Sequence, residues 1–416
     1  MLEFSDAPYQ FFEARPSPFF INVARFVNGK FILPGKNHRI TDIRIEGATD
    51  LPREIFESGD RLVFVSNHPS HSDPQLVTDV HRQLGVSGCF MAAYDVFLRG
   101  KLNAWSMQRL GNFSIDREGS DRNAMAAAID TIKADDYALT IFPEGNVYLT
   151  NDRVTPFLDG TAFIALKAQQ AIKDARVKIV PLSLKFTHLS TPRATVTQRL
   201  LQLGKDSGHE YNSADPILAV MGLGAHLVSD HLNEHGYADQ ILVDPDTIFD
   251  SLSAFTTSLV SDIEKALETE ASEETALVDR IRKIRSKIHQ IRTDESSDAD
   301  PQEIDGLADK SILALRIHGY LTPYLTDNPT VDRYEETVER LAEDYYSRIM
   351  PRTGPRRASV KVGEPIDVSE ILENAGGKLR NAVRELTMAT ESAVQSGIDE
   401  INAANDAPGA KRLEEV

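Results

Sequence analysis

At 416 residues, with 41% hydrophobic and 26% charged residues, the chain can hold two or three domain-sized units and has the balance of a globular protein. A formal net charge of -18 excludes a non-specific nucleic-acid binder, which needs a basic face, and confines any anion recognition to local basic patches. The single cysteine, Cys89, excludes an internal disulfide and a cysteine metal cluster, and reads as a small buried thiol.

In chain order, the first feature is an amphipathic segment over residues 1–38. Met1–Ile40 carries three acids and five bases, a local charge of +2, and seven of the 18 phenylalanines. Ser17-Pro18 supplies an N-cap and a first-turn proline, and Gly29 a stop. On such a helix Phe19, Val23, Phe26 and Val27 share one face, which suits either a membrane interface or a core. MLEFSDAPYQ has neither a basic n-region nor an apolar stretch. The longest apolar run, Ile217–Val228, falls short of the roughly 20 residues that a spanning helix needs. The expectation is a cytoplasmic chain that does not cross a membrane and meets one only peripherally.

From Arg39 to Phe186 short apolar runs alternate with helical patterns. Arg61–Ser66, Cys89–Ala93, Asn112–Asp116, Ala138–Phe142 and Lys178–Phe186 read as strands. Pro74–Leu84, Val96–Leu110, Asp121–Ala134 and Gly160–Ala175 read as helices. This alternation predicts an α/β domain with a mostly parallel sheet flanked by helices, whose ligands sit at the carboxyl ends of the strands. Residues 191–354 are helix-rich. Leu277, Ile281, Ile284, Ile288 and Ile291 form one seam on a basic helix, and Val331, Tyr334, Val338, Leu341 and Tyr345 form another on an acidic one. Their opposite charges predict that the two pack together. Ser359–Ile366 reads as a returning strand followed by a helix, so 39–190 and 355–398 make one domain interrupted by a helical insertion. Residues 399–416 read as a flexible tail, and the basic turn Arg352–Arg357 as a solvated loop.

The densest chemistry lies in Val63–Pro74. A strand delivers His68 at its end, and Asp73-Pro74 five residues later has the form of a helix start. An Asp carboxylate on one ring nitrogen would fix the tautomer and strengthen the other nitrogen as a base. Two side chains suffice if the nucleophile is the substrate's own hydroxyl. His68 and His71 as metal ligands lack a further close His or Cys, and a nucleophile elbow of the form G-x-S-x-G is absent around Ser66, Ser70 and Ser72. A purely structural capping turn is the remaining reading.

Asn67-His68-x-Ser70-x-x-Asp73 resembles the first block of the glycerolipid (lysophosphatidate-type) acyltransferases, known for H-x-x-x-x-D. Leu110–Arg117, ending in Ile-Asp-Arg, is similar to the second block. Phe142-Pro-Glu-Gly145 is similar to the third, and Ile179-Val-Pro181 to the fourth. Val362–Ile366 resembles the strand that closes the domain. The resemblance implies an acyltransferase with His68 as general base and Asp73 as its orienter. It implies Ser70, Arg117, Glu144 and Gly145 at the acceptor site, with Arg117 on a phosphate or head group, and Pro181 in the pocket wall. The donor would be a thioester of coenzyme A or acyl carrier protein, with no bound cofactor, and the acceptor a lysophospholipid or glycerol phosphate. The third block continues here as Asn146-Val-Tyr, without the arginine common at that place, and the lysine common before the second block is also missing. Arg153 is the candidate substitute. Alternatives are a non-phosphate acceptor such as an amino lipid, water as acceptor in a thioesterase, and a catalytically silent lipid-binding protein.

Overall fold

The computed structural model describes residues 9–117, 119, 121–210, 213–237, 247–269, 275–294, 297–320 and 323–415. Helix α1 (Pro18–Val27) runs on through a π-helical turn, Asn28–Ile32. There follow β1 (Ile40–Gly47), α2 (Leu51–Ser58), β2 (Arg61–Ser66), α3 (Asp73–Gln83), β3 (Gly88–Ala93), α4 (Tyr94–Leu98), α5 (Lys101–Arg109), β4 (Phe113–Ile115), α6 (Arg122–Ala134), β5 (Ala138–Ile141), α7 (Gly160–Ala171) and β6 (Val177–His188). The single helix expected over Val96–Leu110 is divided at Gly100, whose φ of 142° no other residue adopts readily. Strand β1 escaped the sequence reading, although Ile43 and Ile45 alternate with Asp42, Arg44 and Glu46 there.

The sheet order is β1-β7-β6-β2-β5-β3-β4, with β7 spanning Arg356–Val362, and the short β8 (Ile366–Asp367) also pairs with β6. All neighbours are parallel except β6 with β7 and with β8. Beyond its first residue β2 is buried throughout, as a strand covered on both faces must be. Val63 and Val65 face one layer, with residues of α6, α7 and α16 (Leu379–Ala404). Leu62 and Phe64 face the other, with Leu76, Val77 and Val80 of α3. The chain therefore returns to the same sheet through β7, β8, α15 (Val368–Asn374) and α16.

Between β6 and β7 lie α8 (Arg193–Ser207), α9 (Pro216–Glu234), α10 (Ile248–Ala266), α11 (Leu277–Thr293), α12 (Pro301–His318), α13 (Tyr324–Asp327) and α14 (Val331–Tyr346). The expected pairing of α11 with α14 is not what forms. Ile281, Ile284 and Ile288 of α11 pack with α10 and α12, while Val331, Tyr334, Val338 and Leu341 of α14 pack with α8 and α9. The charges explain the choice. Arg280 of α11 is held by Glu264 of α10 at 2.6 Å, and the acids of α14 are spent on the sheet domain, as described below.

The tail is also packed where it was expected to fray. Leu413 is buried, its N–H donating to Pro329 O at 2.8 Å, and Val331 N–H donates to Lys411 O at 3.0 Å. Gly409 lies so close that a Cβ there would meet Asp332 Oδ1 at 2.2 Å. No helix among the described residues is long and apolar enough to cross a membrane.

Candidate active site

The carboxyl end of β2 builds the site. Register with β6 ends at Ser66 and Leu182. The Asn67 side chain then replaces the ladder, donating to Leu184 O at 2.9 Å and accepting from Leu184 N–H at 2.8 Å. With both peptide groups of Leu184 satisfied by a side chain, the backbone is free to leave the sheet at His68. Asn151 does the same for Phe186, accepting from its N–H at 2.8 Å. These two amides hold the first block and the loop after the third block on the same strand.

His68 is fixed on three sides. Its Nδ1 lies 2.6 Å from Asp73 Oδ2. Its ring stacks on Phe142 with centroids 4.4 Å apart, and its backbone N–H donates to Glu144 Oε1 at 2.8 Å. No described residue hydrogen-bonds its Nε2. Asp73, the first residue of α3, is fully buried, and its Oδ2 also accepts from Ser70 N–H at 2.9 Å. Burial pushes the Asp73 carboxyl up, against the bonds from His68 and Ser70. A buried carboxylate of this kind favours a cation forming beside it. A proton taken up at Nε2 gives it one.

The remaining predicted residues fall into place differently. Ser70 is buried, and its Oγ accepts from Ser72 N–H at 3.3 Å, so it shapes the turn. Glu144 is only 2% exposed, and burial pushes its carboxyl up to about 8 against bonds from His68 and Thr155. Its carboxyl therefore turns inward and ties the third block to the first. Gly145 follows at φ 79°, closing a turn to Phe142 O at 3.2 Å. Arg117 Nη1 donates to Gly145 O at 2.7 Å and its Nη2 pairs with Asp95 at 3.0 Å. Pro181 stands on β6 opposite Val65. Arg153 sits 3.7 Å from Asp327, both partly exposed, with its guanidinium 5.6 Å from the Tyr324 ring.

Contacts from the insertion escaped sequence reasoning entirely. His71 Nε2 meets Glu343 of α14 at 2.9 Å. Arg282 of α11 donates to Glu144 O at 3.1 Å, and His289 lies 2.9 Å from Asp116. Each of the first three blocks is thus touched by the insertion. These partners are separated by more than a hundred residues, and no local pattern announces them.

Behind the His68 turn lies a buried charged layer. Asp152 pairs with Lys185 and with Arg333, the latter at 2.6 Å. Burial pushes the Asp152 carboxyl up, but the two cations outweigh it and leave it at about 2. Arg352 pairs with Glu339, and Arg356 donates to Ser72 Oγ at 3.0 Å. The basic turn expected to be solvated is therefore buried at Arg352 and Arg356. It braces the first block, because α14 supplies the acids that make burial affordable.

A histidine on a buried carboxylate stands at the carboxyl end of a central parallel strand, in an α/β fold with a mostly parallel sheet flanked by helices. Residues 42–185, about a third of the chain, match the family model Acyltransferase, and the chain carries there a domain of the glycerolipid acyltransferase family. No curated protein matches the chain.

Proposed function

We propose that the protein moves a fatty acyl group from a thioester of coenzyme A or acyl carrier protein to the hydroxyl of a lysophospholipid or glycerol phosphate, within phospholipid biosynthesis. The observation that carries this reading is the 2.6 Å contact between His68 Nδ1 and the buried Asp73. His68 Nε2 takes the hydroxyl proton as the acceptor oxygen attacks the thioester carbonyl. The C–S bond breaks, and the departing thiolate takes the proton back from the imidazolium. Ester and free thiol leave, and the enzyme is unchanged, so no bound cofactor or metal enters the scheme. The enzyme's share is orientation and charge stabilisation, because a thioester is already activated.

Ser70, Glu144 and Gly145 shape the acceptor wall, with Arg117 at its rim. Arg153 is the cation assigned to an acceptor phosphate. Its pair with Asp327 is exposed and long, of a kind worth little, and exchanges readily for a stronger anion. The N-terminal segment meets the membrane surface from the cytoplasmic side.

A second reading, transfer to a non-phosphate acceptor such as an amino lipid, is favoured by one observation. Val147 stands where an arginine is common, and Arg117 is already held by Asp95 and Gly145. The test is product identification by mass spectrometry, with purified protein, either donor and a panel of lysophospholipids, glycerol phosphate and amino lipids. An acylated phosphate-bearing product supports the first reading. A product from an amino lipid alone replaces it with the second, and free fatty acid alone, formed without any acceptor, contradicts both.

A further inference from the structure

Nine of the fourteen large hydrophobic side chains exposed among the described residues lie in two short stretches, 19–32 and 98–105. The face that the sequence groups on α1 is turned outward: Phe19 is 79% exposed and Phe26 61%, while Ile21 on another face is buried. Phe31, in the π-helical turn, continues this face at 60%. Core packing, one of the two readings open to this helix, therefore does not use its apolar face.

The second stretch completes the surface. Leu102 is 76% exposed and Trp105 46%. The Phe20 and Trp105 rings meet with centroids 5.0 Å apart, and Ser17 N–H donates to Arg109 O at 3.0 Å. The N-terminal helix and α5 are thereby joined into one patch.

The charge of this patch is opposite to that of the protein. Residues 14–41 and 96–115 contain no aspartate or glutamate and carry eight lysines and arginines, in a chain of net charge -18. Lys30 Nζ lies 5.5 Å from the Phe26 ring centroid, and the Arg109 guanidinium 5.9 Å from that of Trp105. Aromatic and aliphatic side chains rimmed by cations fit a bilayer with anionic head groups, the rings reaching the acyl boundary and the cations the phosphates. A second copy of the chain would bring the same positive rim against itself.

We infer that residues 18–32 and 98–109 together form a docking surface for an anionic lipid bilayer. This deepens the membrane partner of the proposed function by adding α4 and α5 to the N-terminal segment, and it holds independently of the transfer chemistry.

Trp105 is the sole tryptophan, so its emission reports on the patch directly. The full-length protein is titrated with vesicles of phosphatidylcholine, with and without phosphatidylglycerol, and co-sedimentation is measured alongside. The expected result is a blue shift and co-sedimentation with the anionic vesicles, weakened by salt. Phe19→Glu combined with Leu102→Glu, both at exposed positions, should lower the partition coefficient by at least about tenfold with the thermal midpoint unchanged. The His68→Ala protein should bind as the parent does, which separates failure of docking from failure of the catalytic reading. Three results would overturn the inference: no shift or co-sedimentation with anionic vesicles, binding unaffected by the paired substitutions, or a dimer in solution that those substitutions dissolve.

Discussion

Replacing Asp73 with asparagine keeps its volume and removes its charge beside the base. In the structure Asp73 Oδ2 lies 2.6 Å from His68 Nδ1, which puts the charge centres of the imidazolium and carboxylate about 4 Å apart. At the effective dielectric of about 20 that suits protein sites, such a pair is worth roughly 4 kcal/mol. In the proposed mechanism that stabilisation exists only once His68 has taken the acceptor's proton, so its loss should fall on the transition state and lower kcat by about a thousandfold. Stability moves the other way or not at all. Burial already pushes the Asp73 carboxyl up, and its Oδ1 has no hydrogen-bond partner, so a neutral amide relieves a buried charge. The assay pairs thiol release from the acyl donor at saturating acceptor with a thermal melt. A folded Asp73→Asn enzyme within about threefold of the parent rate would refute the role given to this contact.

Other consequences follow from the same geometry. Burial pushes the Glu336 carboxyl up to about 8, so between the ordinary carboxyl range and pH 8 the folded chain holds a proton that the unfolded chain has lost. This group makes stability fall as pH rises through that window. The thermal-midpoint gain of Glu336→Gln over the parent should therefore grow from pH 5 to 8 and level off above, and a gain largest at pH 5 would contradict this. Asp152, left at about 2 by Lys185 and Arg333, acts in the opposite sense. Its contribution is present above the ordinary carboxyl range and is lost as pH falls towards 2, so Asp152→Asn should flatten the acid limb of the melt profile. Gly145→Ala puts a Cβ at φ 79°, 3.0 Å from Leu158 Cδ1. It should cost about 1–2 kcal/mol by denaturant titration and reduce activity. Arg153→Ala should raise the acceptor KM with kcat little changed, and an unchanged KM removes Arg153 from the acceptor site.

The parts of this molecule that the sequence announces are those written in local pattern. Leu62–Val65 is apolar without interruption because β2 is covered on both faces, and His68 and Asp73 stand at the strand end and helix start that their spacing implies. Alternation of strand and helix over 61–186 is legible for the same reason. What escapes is carried by distance. Nothing near Glu343 signals His71, 272 residues away, and nothing near Arg282 signals the Glu144 carbonyl. The acids of α14 misled for a related reason. Opposite charges on α11 and α14 suggested mutual pairing, whereas each helix had a buried partner elsewhere, Glu264 for Arg280 and Arg352 for Glu339. The tail looked frayed because Ala407 and Leu413 are isolated apolar residues in a polar stretch, and only the surface that receives them shows their burial.

The most direct test of the central claim compares thiol release from an acyl-coenzyme A or acyl carrier protein donor by the parent and His68→Ala proteins, with and without the acceptor found by product analysis. Acceptor-dependent release by the parent, lost by at least about a thousandfold in His68→Ala with the fold intact, is the predicted result. Equal release by the two proteins, or release that ignores the acceptor, would contradict His68 as the base that activates an acceptor hydroxyl.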